Sequence, residues 1–197
     1  MNELENIDSI NIDDLYNRIV TLIENAKRNV ATTVNQEMTL LYWNIGKDIT
    51  DNVLKNNKAE YGKAVIKKLS QKLTIEYGRG YSRANLFRMI KFYEYFNDFE
   101  KISTLSRKLS WSHFVELLQI QDKLKREFYA TMCSNEYWSV RTLRERIGSA
   151  LFERTAISKK PEETIINDLQ LLSNENKMTT NLFFRDPYIL DFLDLKD

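Results

Sequence analysis

The sequence predicts an all-α protein of many helices, with helix-turn-helix-like units and a long N-terminal helix or helical hairpin. Three observations predict it. Only two prolines and five glycines interrupt 197 residues. Apolar residues recur every three or four positions along most of the chain, the spacing of a buried helix face. No series of short alternating segments bounded by turn residues marks a sheet.

Asn11 can cap the first helix, with Asp14 three residues on in a capping-box-like arrangement. Its stripe runs Ile12, Leu15, Ile19, Leu22, Ala26 and Val30, then Val34, Met38, Leu41, Ile45, Ile49 and Val53. Unbroken, such a helix is about 60 Å long at 1.5 Å per residue. A break near "ATTVNQ" folds it into a hairpin instead, and the spacing fits both. In either form the stripe needs a partner, supplied by later helices or by a second subunit.

After "KNNKAEYG" a helix is predicted over 63–77, with Val65, Ile66, Leu69 and Leu73 inward. "GRGY" ends it, and Ser82 caps the next helix, which reaches about Phe96. Further helices are predicted over 111–120, 122–135 and 139–153, the last capped by Ser139. Pro161 suits the first turn of a short helix, with Glu162 and Glu163 near its positive end. "SNENKMTTN" reads as a linker, and Asp186-Pro187 opens a last, strongly apolar helix, "DPYILDFLDL".

Hydrophobic residues make up 43% of the chain and aromatics 12%, enough to fill a core. No apolar run is long enough to span a bilayer, and the acidic start "MNELENIDSINIDDLY" has no apolar segment of a signal peptide. The lone Cys133 and lone His113 exclude a disulfide framework and a multi-cysteine or multi-histidine metal site. A reducing cytoplasm fits this composition best. His113 reads as a structural, hydrogen-bonded histidine and Cys133 as a core thiol.

The net charge of +1 conceals strong patterning. Residues 55–91 hold ten Lys and Arg against two acids, and residues 139–160 hold six against two. Both acidic ends, 1–54 and 161–197, are at −5. Phosphate responds to such local fields, so the near-neutral total does not argue against nucleic acid.

The first basic block contains "YGRGYSRANLFRMIKFY". Helix, short glycine turn, serine cap and basic second helix is a helix-turn-helix arrangement. Leu86, Met89, Ile90 and Tyr93 share one side, with Ala84, Arg88, Lys91 and Tyr95 opposite and Arg83 and Asn85 flanking. Lys67, Lys68, Lys72, Arg79 and Lys91 are the expected phosphate contacts. Ser82 is the expected cap at the turn. Arg83 and Arg88 suit guanine and Asn85 suits adenine. A solvated face on a plain helical hairpin is the competing reading of the same pattern. "WSVRTLRERIGSALFER" repeats the design through Arg141 and Arg144, with Glu145 as a neighbour able to neutralise them. The triplets Glu175-Asn176-Lys177 and Asp194-Leu195-Lys196 have the acid-x-Lys form of one nuclease motif, but one lies in a linker and the other in an apolar helix, and both read as chance.

Seven segments in order carry a family likeness: "LYWNIGKDI", "EYGKAVIKKLSQKL", "GYSRANLFRMIKFY", "LSWSHFVELL", "KREFYA", "WSVRTLRERIGSALFER" and "DPYILDFLDL". Together they resemble the N-terminal half of the YhcG-like family. That resemblance implies a helical domain of winged-helix or helix-turn-helix type, preceding a PD-(D/E)XK nuclease domain that starts near "DPYILDFLDL". It implies that the present chain stops at that boundary, so no catalytic residue carries over and this chain is not itself an enzyme. No cofactor is expected here, with Mg²⁺ expected only for the nuclease domain. The divisions expected are 1–58, an N-terminal helix or hairpin; 59–155, a helix-turn-helix-like domain; 156–185, a linker with a short helix; and 186–197, the start of the nuclease domain. The expected partners are DNA, the nuclease domain of the full-length protein and a second copy bound through the N-terminal helix, with no membrane. The rival function is a protein-interaction or dimerisation module whose basic helices dock on a partner or on the nuclease domain.

Overall fold

The computed structural model describes residues 11–55 and 59–157. The helices expected at Pro161 and Asp186, the linker between them and both acid-x-Lys triplets lie outside the described residues. Those residues form eight α-helices and no strand, so the chain is all-α and the wing that the resemblance implies has no counterpart among them.

Helix α1 runs unbroken over Ile12–Ile49, about 57 Å at the standard rise. Asn11 Oδ1 caps it, accepting from the backbone N–H of Asp13 and Asp14 at 3.1 and 3.3 Å. The "ATTVNQ" segment does not break it: Thr33 bonds back within the helix and the Asn35 amide nitrogen bonds into the core, while the buried Asn35 Oδ1 has no hydrogen-bond partner. Thr33 Oγ1 donates back to Asn29 O at 2.9 Å. Asn35 is fully buried and its Nδ2 donates to Ser106 O at 2.7 Å and Leu109 O at 2.9 Å. Those carbonyls belong to the turn between the fourth and fifth helices, so one side chain fastens that turn to α1. A π-helical turn, Thr50–Leu54, ends the run.

The inward face of α1 departs from the apolar stripe. It is Ala31, Asn35, Met38, Thr39, Tyr42, Trp43, Gly46 and Ile49, while Leu41 is exposed. At Gly46 the backbone of Met89 approaches α1 closely, and Asn35 reaches the carbonyls of Ser106 and Leu109. A count of apolar residues alone overlooks Asn35, Thr39 and Gly46.

Helix α2 is Ala59–Tyr77 and α3 is Arg83–Tyr95, joined through a 3₁₀ turn at Arg79–Tyr81. Helix α3 lies against α1 and supplies Leu86, Met89, Ile90 and Phe92 to the core. Next comes α4, Phe99–Leu105, capped by Asp98 through the Lys101 N–H at 3.1 Å. This short helix was not among those expected. Helices α5, Trp111–Leu117, and α6, Lys123–Glu136, match expectation to within a few residues.

The single helix expected over 139–153 is two helices, α7 at Val140–Gly148 and α8 at Leu151–Ile157. Ala150 between them has φ 54°. A Gly-Ser pair precedes it, a common origin of sharp helix bends. The bend returns Leu151 to the core and brings Phe152 to 5.5 Å from Phe128 of α6. One apolar core extends from Ala31 to Leu151. Its centre is aromatic: Trp111 meets Tyr42 at 4.9 Å and Phe92 at 5.3 Å, and Phe92 meets Phe114 at 4.7 Å.

Candidate nucleic-acid interface

The turn between α2 and α3 is built on glycine. Gly78 has φ 86°, a conformation that side chains disfavour, and its N–H closes α2 on Thr74 O at 3.1 Å. The chain then turns once and enters α3 at Ser82, whose backbone is extended and whose carbonyl accepts from Leu86 N at 2.9 Å. Ser82 thus holds the cap position, but its hydroxyl makes no capping bond.

Asn85 does not stand on the outward face. It is buried, its Nδ2 donates to Gly80 O at 3.1 Å, and its Oδ1 accepts from Arg88 Nη1 at 2.6 Å. Its amide fixes α3 to the turn. Arg88 is half-buried and has one nitrogen committed to that link. The outward face of α3 begins instead with Arg83, Ala84 and Phe87, all exposed. The Arg83 guanidinium lies 5.7 Å from the Phe87 ring centroid. Lys91, half-buried, sits 4.9 Å above the Tyr95 ring.

On α2, Lys63, Lys67, Lys68 and Lys72 are exposed, as is Arg79 in the turn. Sequence reasoning missed Lys63 and Phe87. The same i, i+4 spacing that joins Lys63 to Lys67 and Arg83 to Phe87 marks both. Among the described residues none of Lys63, Lys67, Lys68, Lys72, Arg79, Arg83, Arg88 and Lys91 forms an ion pair with a carboxylate.

The second basic block differs. Arg141 Nε lies 2.9 Å from Glu145 Oε1, and Arg144 Nη2 lies 2.5 Å from Glu116 Oε1. The hydrogen bond to Glu116 and its charge raise the Arg144 pKa above the ordinary arginine value. Both arginines are exposed, but their charge is locally answered.

His113 is fully buried at the start of α5. Its Nδ1 accepts from Ser110 N at 3.0 Å and lies 2.9 Å from Ser110 Oγ, which leaves Nε2 to donate to Trp138 O at 2.9 Å. Burial lowers its pKa to about 4 despite that bond and the nearby Glu116. It is a neutral tie between α5 and the end of α6. Cys133 is buried beneath the same carbonyl, 3.7 Å from Trp138 O, and burial pushes its pKa up. Neither group is placed to act on a substrate. Among the described residues no cluster of three or more His, Cys, Asp or Glu could hold a metal ion, and no helix is long and apolar enough to cross a membrane.

Residues 18–154 match the family model of the DUF1016 N-terminal domain. The chain is 29% identical over 213 residues to a protein of Escherichia coli (strain K12) named "Putative nuclease YhcG". That alignment covers 93% of the present chain and 56% of the relative, so the chain spans little more than half the relative's length. No solved structure matches.

Proposed function

The chain belongs to the DUF1016 N-terminal domain family, and on that premise we propose that it is a DNA-binding module that delivers a nuclease domain to its substrate. The observation carrying this reading is the run of cations from Lys63 to Lys91 with no carboxylate partner among the described residues. Free surface cations release counterions when they meet phosphate, and that release drives association. The relative's name supplies the nuclease half of the proposal.

In this reading α2 and the turn lie along the phosphate backbone through Lys67, Lys68, Lys72 and Arg79. Helix α3 presents its N-terminal end to the duplex as the second helix of a helix-turn-helix does. Arg83 is the base-edge candidate, because it is exposed and its five donors form a fork that suits guanine. Phe87 beside it offers an apolar contact. Arg88 and Lys91 add positive potential from the same helix, and Asn85 holds the turn. Arg141 and Arg144 contribute little, since binding phosphate there must first displace Glu145 and Glu116. The chain acts without a cofactor, and hydrolysis is the task of the domain it delivers.

The test is a salt titration of fluorescence anisotropy with labelled duplex, single-stranded and branched DNA. Duplex binding is expected at low salt, with log K falling against log salt at a slope of about −3 to −4, as four phosphate contacts require. Binding that ignores salt, or none at low salt, overturns the proposal.

A further inference from the structure

Every residue from Ile12 to Val30 is exposed, although the segment is markedly apolar. Ile12, Leu15, Tyr16, Ile19, Val20, Leu22, Ile23 and Val30 all stand open, Ile12 at 66% and Leu22 at 67%. Burial begins only at Ala31. Five turns of α1 therefore present an uncovered stripe far larger than a scatter of surface hydrophobics.

The stripe has a seven-residue register. Ile12, Ile19 and Ala26 fall on one core position, and Leu15, Leu22 and Asn29 on the other. Tyr16, Ile23 and Val30 flank them on one side. Isoleucine and leucine alternating in these places form an apolar seam of the kind that a second helix covers.

Charge selects the orientation. Asp13 and Asp14 lie at one end of the segment, and Lys27 and Arg28 at the other. Parallel, in-register pairing with a second copy sets each like-charged pair against itself. Antiparallel pairing sets the acids of one copy beside the bases of the other, at both ends. The same arrangement fills the central core layers, where Ile19 meets Leu22 and Leu15 meets Ala26, and sets Ile12 against the polar Asn29 at each end. Asp13 then lies level with Arg28 of the second copy, and Asp14 level with its Lys27. Among the described residues Lys27 holds only Glu24, at 3.0 Å across one exposed turn, a weak competitor.

We propose that residues 12–30 of α1 pair antiparallel with the same segment of a second copy, about a two-fold axis between Val20 and Thr21. The occupant of the stripe is a second copy of this chain, because the segment is complementary to itself in charge and in its central apolar layers. The inference does not rest on the DNA reading, since none of the residues assigned to phosphate lies on α1. Its consequence for that reading is a particle with two basic faces, held apart by the paired helices.

Sedimentation equilibrium of the 197-residue chain tests the pairing, and cysteine cross-linking tests its orientation. The parent is expected at twice the monomer mass. Ile19→Glu/Leu22→Glu is expected at the monomer mass with the thermal unfolding of the helical body unchanged, because both residues are already exposed. Oxidising a mixture of Leu15→Cys and Ala26→Cys chains is expected to give a cross-linked pair, while Leu15→Cys alone gives none. A monomeric parent overturns the proposal, as does a dimer that survives both glutamates. Cross-linking of Leu15→Cys to itself indicates parallel pairing and overturns it as well.

Discussion

Gly46 of α1 and Met89 of α3 meet backbone to backbone. A Cβ added at Gly46 falls onto the Met89 carbonyl, 2.6 Å from its carbon atom. No side chain separates the helices there, so this glycine sets how deeply α3 sits on α1. The depth of α3 in turn fixes where Arg83 and Lys91 emerge.

Gly46→Ala is therefore expected to destabilise the fold. Alanine gains about 1 kcal/mol of helix propensity, but the clash is with backbone and forces the helices apart, a cost of about 2–3 kcal/mol. Urea unfolding followed by circular dichroism measures the difference. A variant at least as stable as the parent shows that the α1–α3 contact is looser than described.

His113 makes stability depend on pH in the acid range. Burial holds its pKa at about 4, below the ordinary 6.5. The folded state thus favours the neutral ring, and the unfolded state binds the proton more readily. The contribution is fully present above about pH 6.5 and is lost as pH falls through 4, reaching about 3 kcal/mol. Carboxylates also titrate there, so the check is a comparison with His113→Gln. The parent is expected to lose more stability between pH 7 and 4 than the variant. Parallel pH profiles contradict the buried neutral assignment.

Ala150 adopts a left-handed backbone between α7 and α8. Its carbonyl accepts from Arg154 N at 3.0 Å, so the conformation is part of how α8 starts. Ala150→Gly relieves the Cβ conflict and is expected to stabilise by about 0.5–1 kcal/mol, after the larger unfolded-state entropy of glycine is set against it. Differential scanning calorimetry reads this as a higher Tm. An unchanged or lower Tm contradicts the strain.

The helices were legible wherever a cap and a long periodic stripe agreed. Asn11, Asp122 and Ser139 each mark a start that the structure keeps. Helix α4 was hidden because its seven residues give fewer than two turns of pattern. The bend at Ala150 was hidden because the apolar spacing continues across it, and only "GS" signals the break. In the candidate interface the cations were legible by charge count, and their lack of acidic partners was not. Partnering depends on which helices meet: Arg144 is answered by Glu116, 28 residues away in sequence. The burial of Asn85 was not legible from its flanking place on the wheel. The turn carbonyl of Gly80 gives it a buried partner that the wheel does not see.

The cations of α2 and its turn, which have no carboxylate partner among the described residues, are expected to meet the DNA backbone, and the paired arginines of α7 are not. The most direct test of that expectation compares the salt dependence of duplex binding for the parent, Lys67→Gln/Lys68→Gln/Lys72→Gln and Arg141→Gln/Arg144→Gln. The lysine variant is expected to bind more weakly, with a slope of log K against log salt shallower by about 2–3, while the arginine variant keeps the parental slope. A lysine variant with parental affinity and slope, or a loss confined to the arginine variant, contradicts the account.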